Sequence, residues 1–398
     1  MPSIFDKCGS NPLLNEIRER DVYPYHHALE SRQDVEVVME GKRRIMLGSN
    51  NYLGLTVEPE VQQAAIDAIR QYGTGCSGSR FLNGTLMLHQ QLEKALASFL
   101  GFEEAVTFST GFQSNLGLIS AIVGRHDYVL CDRENHASIY DGCKLSYGKM
   151  VRFRHSDMDD LKKELEKLPL EAGKLIVTDG VFSMSGDVAK LPEIVELAHR
   201  YDAAVMVDDA HGLGVLGPGG RGTAAHFGLT DQVDVVMGTF SKSLASLGGF
   251  GVGSRRVMDH VRHASRPYMF SASPTPACAA TALAALRLIE REPERVQRLS
   301  DLANYLRAGL KRRGVRIVEA PTPIVPFYTY DAFDTLAIAR EMYDKGVYVN
   351  PVLPPACAEN ECLLRCSLMA TFTEPLLDEA ADIIAAVMRE RGLTDENA

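Results

Sequence analysis

Between about residues 46 and 285, apolar runs of strand length alternate with segments whose apolar positions recur at helical spacing. The runs Ala105–Phe108, Tyr128–Cys131, Leu175–Thr178, Ala204–Val207 and Val235–Met237 predict strands, and the periodic segments Val61–Tyr72, Leu88–Leu100 and Leu191–Arg200 predict helices between them. Strands that are apolar throughout and separated by helices predict an α/β fold: a mainly parallel central sheet with helices on both faces. Ahead of this region, Asn11 to Arg20 has the spacing of an entry helix. Asp34-Val-Glu-Val-Val-Met and Arg44-Ile-Met-Leu then alternate around Gly41-Lys42, as a hairpin does. Beyond about residue 286 the rhythm changes. A charged helix, Leu299–Arg313, precedes the short apolar runs Val315–Glu319, Ile324–Tyr328, Val347–Asn350 and Leu364–Met369, and a last helix starts at Glu374. The chain is therefore expected to divide into an N-terminal helix and ribbon over 1–45, a large domain over 46–285 and a smaller α+β domain over 286–398. No internal repeat or low-complexity linker marks those boundaries, only turn signals such as Gly314.

In a parallel sheet, ligands bind at the carboxyl ends of the strands. The residues with the most chemistry to offer fall there: Thr110-Gly111-Phe112, His136, Ser183, Asp208 with His211, and Lys242. Lys242 sits on a small-residue loop after Val235–Met237, with the hydroxyls of Thr239, Ser241 and Ser243 around it and Gly248-Gly249 close behind. A lysine so placed is suited to bond the aldehyde of pyridoxal phosphate (PLP), while hydroxyls and backbone amides suit its phosphate. Upstream, Ala204-Val-Met-Val-Asp208-Asp-Ala-His211 closes an apolar strand with a carboxylate and an imidazole. The carboxylate can keep a pyridine nitrogen charged, and the imidazole can bond the ring oxygen. Asp209 competes with Asp208 for that role. If Val207 points into the core, strand alternation sends the two aspartates opposite ways, and the spacing of Asp208 and His211 lets those two share one side of a turn.

Other candidates are weaker alone. Ser109-Thr110-Gly111-Phe112-Gln113-Ser114-Asn115 joins a strand to a helix, where free amides and the positive helix end would cradle a phosphate. Plain N-capping by Thr110 explains it as well. His136, in Glu-Asn-His-Ala-Ser, opens a helix with a ring able to stack on a planar cofactor, although a lone histidine is more often structural. Arg365, in Leu-Leu-Arg-Cys-Ser-Leu-Met-Ala, is suited to clamp a carboxylate bidentately, the plainer reading being a solvated edge arginine. Ser271 and Ser273 are placed to reach a phosphate, that of a partner subunit included, or simply to form the turn before a helix near Pro276.

Composition narrows the partners. With 42 basic against 52 acidic residues and no basic block, a small molecule is expected rather than nucleic acid. The apolar stretches fall short of the ~20 residues a membrane span requires, and Met1 to Cys8 lacks the regions of a signal peptide. At most peripheral membrane contact is expected. Eight cysteines are scattered, mostly in apolar segments; Cys362 and Cys366 are the closest pair, with no paired Cys-x-x-Cys or histidine cluster. Buried thiols in a reducing cytoplasm, and no metal, are the reading.

From Ser49-Asn-Asn-Tyr-Leu-Gly-Leu55 to Arg365, these segments in their order resemble the α-oxoamine synthases, fold-type-I PLP enzymes that condense an amino acid with an acyl thioester and release carbon dioxide. Within that family, Gly73-Thr-Gly-Cys-Ser-Gly-Ser-Arg-Phe-Leu-Asn-Gly-Thr85 and Gly238-Thr-Phe-Ser-Lys-Ser, followed by Gly-Gly-Phe250, are most similar to bacterial members that use L-serine and a long-chain acyl-CoA. The resemblance implies that Lys242 carries the cofactor, Asp208 meets its pyridine nitrogen and His211 its ring hydroxyl. It also implies that His136 stacks on the ring, that Gly111, Phe112, Thr239 and Ser241 belong to the phosphate site, and that Ser183 lies near the cofactor. His136 or Arg365 would hold the substrate carboxylate, and Lys242 would be the base for the α-proton. Asn51 and Ser273 are implied near the active site across the interface of a homodimer. The implied product is 3-ketodihydrosphingosine, with the acyl length and the choice of CoA or carrier-protein donor open.

Related members share parts of this pattern. The 2-amino-3-ketobutyrate ligases are similar in Gly-Ser-Arg-Phe but typically differ at Leu82-Asn83. The 8-amino-7-oxononanoate synthases share Val-Asp-Asp-Ala-His and Gly-Val-Phe-Ser-Met, and commonly place an arginine near the N-terminal Tyr-Pro to meet an acyl carboxylate. Asp21-Val22 stand in that neighbourhood here, with Arg20 close, and Tyr25-His-His-Ala-Leu is placed to line the acyl entrance. An aminotransferase of the same fold, needing no thioester, is a further alternative. A non-catalytic partner subunit is another, which the presence of Lys242 opposes.

Overall fold

The computed structural model describes residues 3–9 and 11–395. Met1 and Pro2, the start of the segment read as lacking a leader, lie outside the described residues, as do Ser10 and 396–398. The N-terminal hairpin is β1 (Glu36–Met39) and β2 (Lys42–Met46). The central sheet is built from β3 (Glu104–Phe108), β4 (Tyr128–Asp132), β5 (Lys149–Phe153), β6 (Lys174–Asp179), β7 (Ala204–Asp208), β8 (Val235–Thr239) and β9 (Gly249–Gly253). Its order is β3-β9-β8-β7-β6-β4-β5, parallel except that β9 runs antiparallel to both neighbours. β10 (Ile324–Tyr330), β12 (Asn350–Val352) and β13 (Cys362–Ser367) form a second, antiparallel sheet. β11 (Val347–Tyr348) crosses back to pair in parallel with β2.

Alternation along the central strands feeds two cores. Val205 and Val207 pack into the larger one, while Met206 packs into a smaller one with Phe108, Leu118, Val177 and Met237. The helix Gly111–Ile122 lies on that second face and comes unusually near the sheet. A Cβ on Gly249 would fall 2.7 Å from the Gly111 Cα, one on Gly251 would fall 2.6 Å from Leu118, and one on Gly117 would fall 2.5 Å from Phe108. Glycines on both surfaces thus bring the helix start onto the carboxyl edge of the parallel strands.

The same glycines explain why β9 has no apolar run to betray it: Gly-Phe-Gly-Val-Gly reads as a loop, yet all five residues are buried. Elsewhere the expected strand at Val315–Glu319 reduces to single bridges, Val315 to Thr394 and Ile317 to Phe327. The charged helix before it begins earlier than its apolar pattern, at Glu294, because its first turn is largely solvent-facing. Among the described residues no helix is long and apolar enough to cross a membrane.

Candidate active site

A cavity of about 220 Å³ opens at the carboxyl ends of β6, β7 and β8. Of the residues singled out above, Gly111, Phe112 and His136 form one wall. Ser183, Asp208, His211, Thr239, Ser241 and Lys242 form the rest. Asn51, Ser273 and Arg365 are buried but do not line it. Asn51 Nδ2 donates to Thr56 Oγ1 at 2.7 Å, and Ser273 Oγ donates to the Gly78 carbonyl at 3.1 Å.

The two aspartates part as alternation requires. Asp208, in phase with Met206, turns toward the cavity; its Oδ1 accepts the Ala210 N–H at 3.0 Å and its Oδ2 accepts Asn115 Nδ2 at 2.6 Å. Asp209 turns the other way, accepting the Thr223 N–H at 2.7 Å and its hydroxyl at 2.6 Å. Burial pushes the Asp209 carboxyl up to about 6 against the pull of those two bonds.

Lys242 lines the cavity and is only half-buried by surface. Its amine is still enclosed enough that desolvation brings it down to about 8, resisted by Asp208 and Asp179 and aided by Arg365. His136 keeps more than a third of its surface open to the cavity mouth. Enclosure of the ring's inner side lowers its pKa, Asp208 opposing and Lys242 assisting. His211 is held well below its ordinary value by burial and then by the cations of Lys242 and Arg365. Its Nδ1 meets the Tyr52 hydroxyl at 2.6 Å. Arg365 stands behind that pair, donating to Tyr52 Oη at 3.3 Å, to Asn50 Oδ1 at 3.0 Å and to the Ser183 carbonyl.

Four site residues escaped assignment from sequence. Asn115, taken only as part of a phosphate segment, lies four residues after Gly111 and so on the same helix face, aimed at Asp208. Ser138 follows His136 by two and meets its Nδ1 at 2.7 Å. Asp179 ends β6 in register with Asp208 at the end of β7, and its Oδ2 accepts the His136 N–H at 3.0 Å. Burial and then the Asp208 charge push Asp179 well above the usual carboxylate range. Tyr52 was noticed only within Ser49–Leu55, and no local spacing places it beside His211.

The lining fits pyridoxal phosphate. A Cβ on Gly111 would lie 2.6 Å from Thr239 Oγ1, so only glycine lets the helix start and the Thr239–Ser241 hydroxyl pair, 2.9 Å apart, share one corner. Hydroxyls and a helix N-terminus in that corner are donors for a phosphate. Across the cavity stand a carboxylate, Asp208, and the amine of Lys242, brought down to about 8.

A mainly parallel sheet with a lysine, an aspartate and a phosphate corner at its carboxyl edge defines a fold-type-I PLP-dependent transferase. The chain belongs to the aminotransferase class I and II family, which matches residues 42–384. It is similar to the serine palmitoyltransferase of Sphingobacterium spiritivorum, at 50% identity over 378 residues covering 95% of each chain. It is also similar to 8-amino-7-oxononanoate synthase 1 of Bacillus subtilis, at 40% over 377 residues covering 95% of this chain and 96% of that one. A solved SPT chain with a PLP internal aldimine superposes with a TM-score of 0.95 at 39% identity, covering 98% of this chain and 100% of that one.

Proposed function

We propose that this protein condenses L-serine with palmitoyl-CoA or a similar long-chain acyl thioester, releasing CoA and carbon dioxide and yielding 3-ketodihydrosphingosine, the first step of sphingolipid synthesis. The observation that carries the choice within the family is the likeness to a serine palmitoyltransferase at 50% identity, against 40% for the 8-amino-7-oxononanoate synthase over the same share of this chain.

PLP, when bound, supplies an electron sink for negative charge at the amino-acid α-carbon. In this assignment Lys242 anchors it, Asp208 faces its ring nitrogen, His211 its ring oxygen, and Gly111, Phe112, Thr239 and Ser241 hold its phosphate. His136 covers the ring and offers a polar edge to the serine carboxylate. Lys242, whose amine the cavity brings down to about 8, would take the α-proton in its uncharged form. Arg365, held through its Nε and Nη2 by the Ser183 carbonyl, Asn50 and Tyr52, is the second candidate for that carboxylate.

An apolar trough beside the Ser183 loop is the candidate seat for an acyl chain. This trough of about 340 Å³ is lined by Leu14, Ile17, Tyr25, Met184, Val352 and Pro354, and Met184 is the chain neighbour of Ser183 in the cavity wall. Its place supports the expectation that Tyr25 lies at the acyl entrance. Asn51 and Ser273, outside their own chain's cavity, are assigned to a homodimer interface. Leu82 and Phe270, 76% and 77% exposed on the two segments joined by the Ser79–Ala272 bridge, suit such burial.

The test is the absorbance of the cofactor-loaded protein titrated separately with L-serine, glycine and L-alanine, then with palmitoyl-CoA. A spectral shift with L-serine followed by CoA release is expected. A response to glycine or L-alanine alone would move the protein to a ligase or an 8-amino-7-oxononanoate synthase, and turnover without any thioester to an aminotransferase.

A further inference from the structure

We infer that Asn115 and Ser138 are positioning residues that fix His136 in the tautomer carrying its proton on Nε2, through a hydrogen-bond relay that starts at Asp208. The relay runs in one direction through three side-chain contacts. The Asn115 amide nitrogen donates one hydrogen to Asp208 Oδ2 at 2.6 Å and the other to Ser138 Oγ at 2.8 Å. The opposite amide orientation would set an oxygen against a carboxylate at that distance. Having accepted from Asn115, the Ser138 hydroxyl is left to donate, and His136 Nδ1 lies 2.7 Å away. The Ser138 backbone N–H adds a second, longer bond to the same nitrogen at 3.3 Å. Nδ1 therefore accepts twice, and in the neutral ring the proton belongs on Nε2, the nitrogen left to the cavity.

Two further observations separate this from ordinary helix capping. Asn115 Oδ1 is buried with no hydrogen-bond partner, a cost incurred while both amide hydrogens are committed to Asp208 and Ser138. The geometry also rests on a glycine: a Cβ on Gly142 would lie 2.9 Å from the Asn115 carbonyl, so the helices Gly111–Ile122 and Ala137–Leu145 approach closely only because that side chain is missing. The charged and titratable groups facing the ring, Asp208 and His211 at the end of β7 and Lys242 from the loop after β8, act on its total charge, while Asp179 holds the backbone N–H. The relay decides which nitrogen holds the proton. Its consequence rests on the function proposed above: a fixed Nε2–H is a directed donor for a substrate carboxylate.

The experiment is two-bond ¹H–¹⁵N spectroscopy of protein labelled in its histidine rings, with His136 assigned through His136→Asn, recorded with and without pyridoxal phosphate. His136 is expected as the Nε2–H tautomer between about pH 6 and 8. Ser138→Ala and Asn115→Ala are expected to titrate about one unit higher and to mix tautomers, because a donor to the neutral ring is lost or loosened. Ser138→Thr, which keeps the hydroxyl, should restore the wild-type titration. An Nδ1–H tautomer in the wild type overturns the inference without any variant, as do both alanine variants titrating like wild type. A protein that shows the relay but does not respond to L-serine keeps this inference and removes the proposed substrate.

Discussion

The Tyr52 hydroxyl, on a side chain with no exposed surface, lies 2.6 Å from Nδ1 of His211. Arg365 donates to the same oxygen at 3.3 Å, so the Tyr52 hydroxyl joins the second imidazole of the site to the guanidinium. Tyr52→Phe leaves a buried ring nitrogen without its hydrogen-bond partner and removes one of Arg365's acceptors. A loss of about 1–3 kcal/mol in urea-unfolding free energy is expected, with weaker retention of the cofactor. Unchanged stability and unchanged cofactor affinity would show that the contact does not bear on the site.

Lys242 sets a pH dependence that is measurable before any substrate is added. With its amine brought down to about 8, the cofactor-free protein should capture pyridoxal phosphate about tenfold more slowly for each pH unit below 8, and reach a plateau above it. Rapid-mixing absorbance between pH 6 and 10 reads this directly. The linked stability change has a definite sign. The folded pKa lies below the unfolded one, so between about 8 and 10.5 the unfolded chain binds more protons, and the cofactor-free protein gains stability from this group as pH rises through that window. An inflection near the ordinary lysine value would mean that the cavity does not perturb the amine.

The fold and the site were legible in the sequence to different depths, and Asp208 and Asp209 mark the limit. Strands buried on both faces advertise themselves as apolar runs, so β3, β4, β6, β7 and β8 lie nearly where the runs predict, and with them the residues at their ends that line the cavity. β5 was missed because its edge position leaves Lys149 and Arg152 exposed, and β9 because its glycines serve the helix packed on it. Alternation said that the two aspartates diverge but needed an orientation for Val207. Contacts between distant segments, such as Asn115 to Asp208 or Tyr52 to His211, leave no local spacing to read.

The environment of Asp209 makes its own prediction. Cβ atoms on Gly180, Gly212 and Gly222 would fall 2.6, 1.8 and 1.8 Å from its carboxylate oxygens, so three glycines open the space it fills. Its folded pKa, about 6, exceeds the unfolded value of 3.8, so its contribution to stability falls as pH rises from about 4 to 6 and stays low above. Asp209→Asn can keep both contacts to Thr223, accepting from its N–H and donating to its hydroxyl. The variant should be as stable as wild type or more so above pH 6, and should lose that pH dependence in denaturation curves. Asp208→Asn, by contrast, should fold normally and lose most turnover. The reverse pattern would exchange the roles of the two residues.

His155 offers a test of how the Ser183 loop is held. Its ring packs edge-on against Phe182 with centroids 4.4 Å apart, and its two nitrogens lie 3.0 Å from Asp132 and 3.1 Å from Asp187. The latter belongs to the hairpin closed by the Val181–Val188 bridge, which carries the Ser183 carbonyl that accepts from Arg365. Burial alone would depress the imidazole, but the hydrogen bonds and charges of the two aspartates raise it to about 10. A folded pKa above the unfolded value of 6.5 means that this stabilisation is complete below pH 6.5 and is lost as pH climbs through 10. His155→Gln should therefore lower unfolding free energy by roughly 1–3 kcal/mol at pH 6, with the difference from wild type shrinking steadily toward pH 10. It should also raise KM for L-serine more than it lowers kcat, because the loosened hairpin no longer fixes Arg365. A stability difference that stays constant from pH 6 to 10 would show that His155 acts there by packing on Phe182 and not as a cation between two carboxylates.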